Sequence, residues 1–177
     1  MIYKSAEIEA KAAVEIGMHM CAAARTAPKA RGIDYIETMV LSGEEKDQLA
    51  AKLKEMGEQQ NIAFYVRDAG NLLKAQALVL IGVEEGKRGL GEGCGYCHFG
   101  SCEGCSKAGG TCVFDSIDLG IAIGSAVSVG ADLRADTRVM YSIGKAAIAM
   151  DLFEGKAQVV MGIPVSISGK SPFFDRK

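Results

Sequence analysis

Five of the chain's six cysteines fall between Gly91 and Cys112, spaced C-x2-C-x4-C-x2-C-x6-C as Cys94, Cys97, Cys102, Cys105 and Cys112. Glycines 91, 93, 95, 100, 104, 109 and 110 are interleaved with them. Glycine loses more conformational freedom on ordering than any other residue, so this stretch holds one shape only where a bound object or a cross-link restores the order. Any fold open to this chain must carry such a loop, and the remaining elements read as its mount.

Thiolates ligate iron-sulfur clusters and zinc, and a loop that wraps a cluster needs residues able to turn at close range. Two C-x2-C knuckles around structural zinc are normally separated by a long spacer, whereas only four residues part Cys97 from Cys102, which puts zinc second. Disulfides need an oxidising compartment, and the start Met-Ile-Tyr-Lys-Ser-Ala-Glu-Ile-Glu lacks the basic head and apolar run of a secretion signal. An odd number of loop cysteines also pairs poorly. The leading expectation is one [4Fe-4S] cluster in a reducing cytoplasm, with a zinc-stabilised binding module as the non-redox alternative. Cys94, Cys97 and Cys102 are close enough in sequence to hold three corners. The fourth falls to Cys112 or Cys105.

At 177 residues, 49% hydrophobic and 24% charged, the chain fits one domain, 1–177, with residues 84–114 as an inserted cysteine-rich loop. A net charge of -2 without a lysine- or arginine-rich run gives no electrostatic footprint for nucleic acid. The longest apolar stretches, 117–131 and 75–83, are too short or too interrupted to suggest a membrane span.

Residues 5–27 are rich in helix formers and Pro28 should end the helix. Within it Met18, His19, Met20 and Cys21 read as core residues and one satisfied polar group rather than as metal ligands. Residues 35–41 read as a strand, and Ser42-Gly-Glu-Glu45 has capping-box spacing ahead of an amphipathic helix to about Met56. Residues 57–75 are ambiguous, with 62–66 read as extended and Asp68 as the cap of a short helix through Leu72-Leu73. The continuous apolar run 75–83 predicts a strand buried on both faces, leading straight into the cysteines. Residues 115–130 carry small residues at helical spacing, which suit close packing of a backbone or a flat cofactor. A polar turn at 132–138, a helix at 142–153, a strand at 158–162 and an extended tail from Ile163 complete the chain. Gly169-Lys170-Ser171 lacks the upstream glycine and the following helix of a phosphate loop.

The cysteine pattern resembles a family of uncharacterised proteins of anaerobic microbes containing a ferredoxin-type domain. There C-G-x-C-x4-C, here Cys94-Gly95-Tyr96-Cys97 and Cys102, is followed by a cysteine ahead of Asp-Leu-Gly-Ile-Ala, here Cys112 and residues 118–122. That resemblance implies Cys94, Cys97, Cys102 and Cys112 as the metal ligands. A second resemblance is to flavin-dependent nitroreductases. It rests on Ala24-Arg25-Thr26-Ala27-Pro28 leading to the strand at 35–41 and Ser42-Gly-Glu-Glu45, and on Met161-Gly-Ile-Pro164 in the last strand. It implies an α+β fold, a nitroreductase-like mixed sheet flanked by long helices, a homodimer, and FMN as a second cofactor in a flavin-linked reductase. The family's Arg-Arg-Ser-x-Arg phosphate grip is reduced to Lys4-Ser5, leaving Arg25, Lys29 and Arg31 as the candidate flavin contacts.

Overall fold

A computed structural model describes residues 1–174 of the chain, so the last three residues of the expected tail lie outside it. The elements run α1 (Ser5–Thr26), β1 (Ile36–Ser42), α2 (Gly43–Gln59), α3 (Ala63–Lys74), β2 (Ala77–Glu84), α4 (Cys102–Lys107), α5 (Val113–Asp132), β3 (Asp136–Thr137), α6 (Tyr141–Ala149) and β4 (Ala157–Ser166). Pro28 acts as expected: Ala27 swings to ψ 144 and α1 stops. Ser42 does precede α2 in an extended conformation, but its hydroxyl makes no capping bond, so the capping box is not formed.

The four strands lie in the order β1-β2-β4-β3. Every pairing is antiparallel, which corrects the expectation of a mixed sheet. The reason is α3. A single helix between two strands returns the chain for parallel pairing, whereas two helices in succession reverse it once more. The ambiguous segment is therefore helical at 63–74, and the extended reading of 62–66 does not hold. The two helices meet closely at Gly57, where a Cβ would stand 2.9 Å from the Tyr65 Cβ.

Helices cover both faces of the sheet. Ala77, Val79, Ile81 and Val83 of β2 face α1 and α5 with Met20, Ala24, Leu119, Ala122 and Ala126. Leu78 and Leu80 face the opposite way, toward Leu49, Leu53, Leu72, Ile143 and Val160. Period-2 alternation across a sheet buried on both sides leaves no position for a polar residue, which is why β2 reads as one apolar run. On α1, Met20 belongs to this core, but Met18 is exposed, correcting its assignment to the interior; His19 is exposed as well, 4.0 Å from Glu15.

β4 continues through Pro164 to Ser166, four residues beyond the expected strand. Gly162 exchanges both backbone bonds with Met140, so Pro164, two residues on, turns its missing N–H to the same side, away from β2. The tail then returns Phe173 to the core rather than leaving it on the surface.

Helix α5 has a mean hydropathy of 1.4 and is the one helix among the described residues long and apolar enough to cross a membrane. It nevertheless buries Asp115, Asp118, Leu119, Ala122 and Ala126 on one side, in the manner of a core helix.

Candidate functional site

The chain between β2 and α5 is hung from a braced neck. Lys87 pairs with Glu85 and its Nζ donates to the Gly110 carbonyl at 2.8 Å, joining the two ends of the loop. Arg31 Nη1 donates to the Arg88 carbonyl at 2.6 Å, and the Gly86 amide donates to Asp115 Oδ2 at 3.2 Å. Beyond the neck, Gly89, Gly91, Gly95, Gly100 and Gly109 all adopt positive φ, which few residues tolerate. Ser101 caps α4, its Oγ accepting from the Gly104 amide at 3.0 Å. That short helix was not expected from the sequence, because the glycine-rich run hides it.

These turns bring Cys94, Cys97, Cys102, Cys105 and Cys112 to the wall of one small concavity. Lys87, Arg88, Leu90, Gly91 and Phe114 complete much of the lining. All five sulfurs are unpaired. Cys105 and Cys112 are buried, and the other three are half-buried. Among the described residues no three His, Cys, Asp or Glu side chains converge on a single ion position.

The sulfurs differ in their surroundings. The backbone amide of Gly91, with those of Leu90 and Gly89, donates to Cys102 and holds its thiol below the ordinary cysteine value despite some burial. Burial pushes the Cys105 thiol up, and the neighbouring Cys97 adds to this. Cys105 Sγ donates to the Gly110 carbonyl at 3.2 Å within its own turn. Cys112 stands at the N-terminus of the long helix α5. The sixth cysteine, Cys21, lies on α1, away from this group, and burial raises its thiol.

Behind the thiols is a buried ionic cluster. Arg88, 1% exposed, donates through Nη1 to Asp115 Oδ1 at 2.8 Å and through Nη2 to Asp118 Oδ2 at 2.7 Å. Its guanidinium lies over the Tyr35 ring at 4.6 Å. Asp118 also accepts from the Ala30 amide at 3.1 Å, tying the end of α1 to α5. Burial pushes the Asp115 carboxyl up, while the Gly86 amide and the Arg88 guanidinium pull it down. Sequence reasoning missed Arg88. The available signal was Asp115 and Asp118, three apart on one side of an apolar helix, where two buried carboxylates require a cation.

Arg25 and Lys29 meet at the Asp34 carboxylate, whose Oδ2 lies 3.4 Å from Arg25 Nη1 and 3.7 Å from Lys29 Nζ, while Arg31 is turned elsewhere. Arg25 Nη1 donates to the Ile36 carbonyl at 2.5 Å, and Lys29 Nζ to the Ala24 carbonyl at 2.9 Å at the end of α1. Arg31 is engaged at the loop neck. All three side chains hold backbone carbonyls.

A four-stranded antiparallel sheet with helices on both faces, and a thiol-lined segment between β2 and α5, define an α+β protein of nitroreductase fold. The FMN-dependent nitroreductase NfnB from Mycobacterium smegmatis superposes with a TM-score of 0.62 at 11% identity, over 88% of this chain and 78% of that one. A nitroreductase family protein from Clostridium novyi gives 0.59 at 14% identity, over 91% and 76%. NfrA2 of B. megaterium gives 0.54 at 11% identity over 89% of this chain, which spans only 58% of its length. At these identities the likeness is one of fold. An uncharacterised protein of Archaeoglobus fulgidus is 48% identical over 165 residues, covering 89% of this chain and 88% of the relative. Residues 108–176 match the family described as uncharacterised proteins containing a ferredoxin domain, and the chain belongs to that family. Of the loop cysteines, only Cys112 lies inside the matched segment.

Proposed function

We propose that the chain is an iron-sulfur redox protein of a reducing cytoplasm, holding one [4Fe-4S] cluster through Cys94, Cys97, Cys102 and Cys112. The observation that carries this reading is the gathering of all five loop sulfurs on the wall of one concavity. The donor set suits an anionic sulfur-rich group: soft thiols, backbone amides directed at Cys102, and the cations Lys87 and Arg88 in the lining. The short spacer between Cys97 and Cys102 suits a cluster better than the two separated knuckles of structural zinc. When bound, the cluster would supply one-electron exchange. The protein's part is to exclude water, fix the thiols and balance charge.

The choice of Cys112 over Cys105 is supported by the hydrogen bond that Cys105 makes within its own turn and by the position of Cys112 at a helix N-terminus. Anaerobically purified protein should contain about four irons and four sulfides per chain and give an EPR signal on reduction. Cys94→Ser and Cys112→Ser should lose the chromophore, and Cys105→Ser should keep most of it. A colourless protein with stoichiometric zinc would overturn the reading in favour of a zinc-stabilised module. Loss of the cluster in Cys105→Ser alone would overturn the ligand assignment.

A flavin-linked reductase is the second reading, favoured by the fold shared with FMN-dependent NfnB. Flavin released on denaturing anaerobically reconstituted protein would support it. Lys29→Met decides the role of that side chain: as a clasp on the α1 carbonyls it should lower stability by about 1–3 kcal/mol in urea titration without changing flavin content. We further propose a homodimer through the exposed side of α5, where Ile117, Gly120, Ile121 and Gly124 form a strip and a Cβ added at either glycine would meet open space. Light scattering should give twice the chain mass, and a monomer at micromolar concentration would refute it.

A further inference from the structure

One atom of the buried cluster has no partner. Arg88 Nη1 is shared between Asp115 Oδ1 and the Gly86 carbonyl at 2.8 and 2.9 Å, and Nη2 bonds Asp118 Oδ2 at 2.7 Å. Tyr35 covers the face of the guanidinium. The Nε is buried, yet it finds no acceptor among the described residues. A buried donor left unpaired costs about 1–3 kcal/mol, and more when it is charged. Arg88 is also a wall of the concavity, beside Cys105 and Cys112. Its partner Asp115 is one turn along from Cys112, with its amide bonded to the Cys112 carbonyl at 3.0 Å.

We infer that Arg88 Nε–H donates a hydrogen bond into the thiol-lined concavity, to the Cys112 sulfur or to a cluster sulfide, and so raises the reduction potential of the site. The inference rests on the reading above that iron and sulfide bind there. A donor aimed at sulfur stabilises the more negative, reduced state over the oxidised one, because sulfur carries much of the added charge. Asp115 and Asp118 fix the guanidinium in its plane, so the third direction of its fork is set by the two that are already bonded. Arg88 is therefore a positioning and tuning residue, not a ligand.

Arg88→Lys keeps the positive charge and removes the Nε–H. It should bind the same iron and sulfide per chain and shift the oxidised-to-reduced ratio about tenfold toward oxidised at a given potential, a fall of 59 mV for a one-electron couple. Loss of a single hydrogen bond to a charged group is of that size. Because the lysine variant strains a buried ionic cluster, a second measurement uses the native chain. Wild-type protein grown with 15N-arginine and reduced with dithionite should show an arginine 15N coupling and an exchangeable proton coupling by ENDOR. A full cluster complement with unchanged potential in Arg88→Lys would overturn the inference, as would the absence of arginine coupling in wild-type protein. A wild-type chain that binds no iron would instead overturn the cluster reading itself, and the inference with it.

Discussion

Asp118 binds three parts of the molecule at once: its own helix, the Ala30 amide after α1, and the Arg88 guanidinium beneath the thiols. Asp118 itself is 2% exposed, and its bond to Arg88 is out of water. Asp118→Asn leaves an amide against a buried cation whose charge is then matched by Asp115 alone. Breaking one arm of such a cluster costs about 3–5 kcal/mol. Urea denaturation should show that loss, and a change below about 1 kcal/mol would mean that the cation is solvated in solution. At this scale the sequence displayed the cysteines plainly, because their spacing is a chemical pattern within one loop. It did not display Arg88, whose significance depends on carboxylates 27 and 30 residues away. Arg25, Lys29 and Arg31 were visible as charges, but the carbonyls they hold were not, since a turn of backbone leaves no mark in residue types.

Helix α6 sits directly on β4, and Gly144 is the point of contact. A Cβ there would fall 1.7 Å from the Val160 carbonyl oxygen, and backbone cannot yield as a side chain can. Gly144→Ala should therefore cost about 3 kcal/mol or more, read as a lowered urea midpoint. An unchanged midpoint would mean that α6 stands further off the sheet than described. Elements with an unbroken local signal were legible: α1 up to Pro28, and β2 from its apolar run. Elements decided by distant packing were not. The segment containing α3 carries the apolar stretch Ile62-Ala-Phe-Tyr-Val66, which suits a strand as well as a helix until Leu49 and Leu53 of α2 supply a surface for it. β4 runs through Pro164 because that residue's missing donor points away from β2, and no single sequence states which way a strand faces.

For the molecule as a whole, the sheet and its helices complete both hydrophobic clusters without help from the thiol segment. Stripping iron should consequently leave the body folded. Amide exchange should accelerate over residues 89–111 while β2 stays protected, and the thermal midpoint should fall by the binding contribution lost. Accelerated exchange across β2 would show instead that the metal is a condition of folding. The α+β architecture was readable from the sequence, but the relative direction of β1 and β2 was not, because it turned on whether one or two helices separate them. Lys87, gripping Gly110, gives the thiol segment its particular standing. Departure and return points of that segment are clasped together, so its length is nearly free to vary: doubling a flexible loop adds only about 0.6 kcal/mol of closure entropy. Descendants of this chain could lengthen, shorten or recode the segment while inheriting the scaffold intact, much as a socket accepts different bulbs.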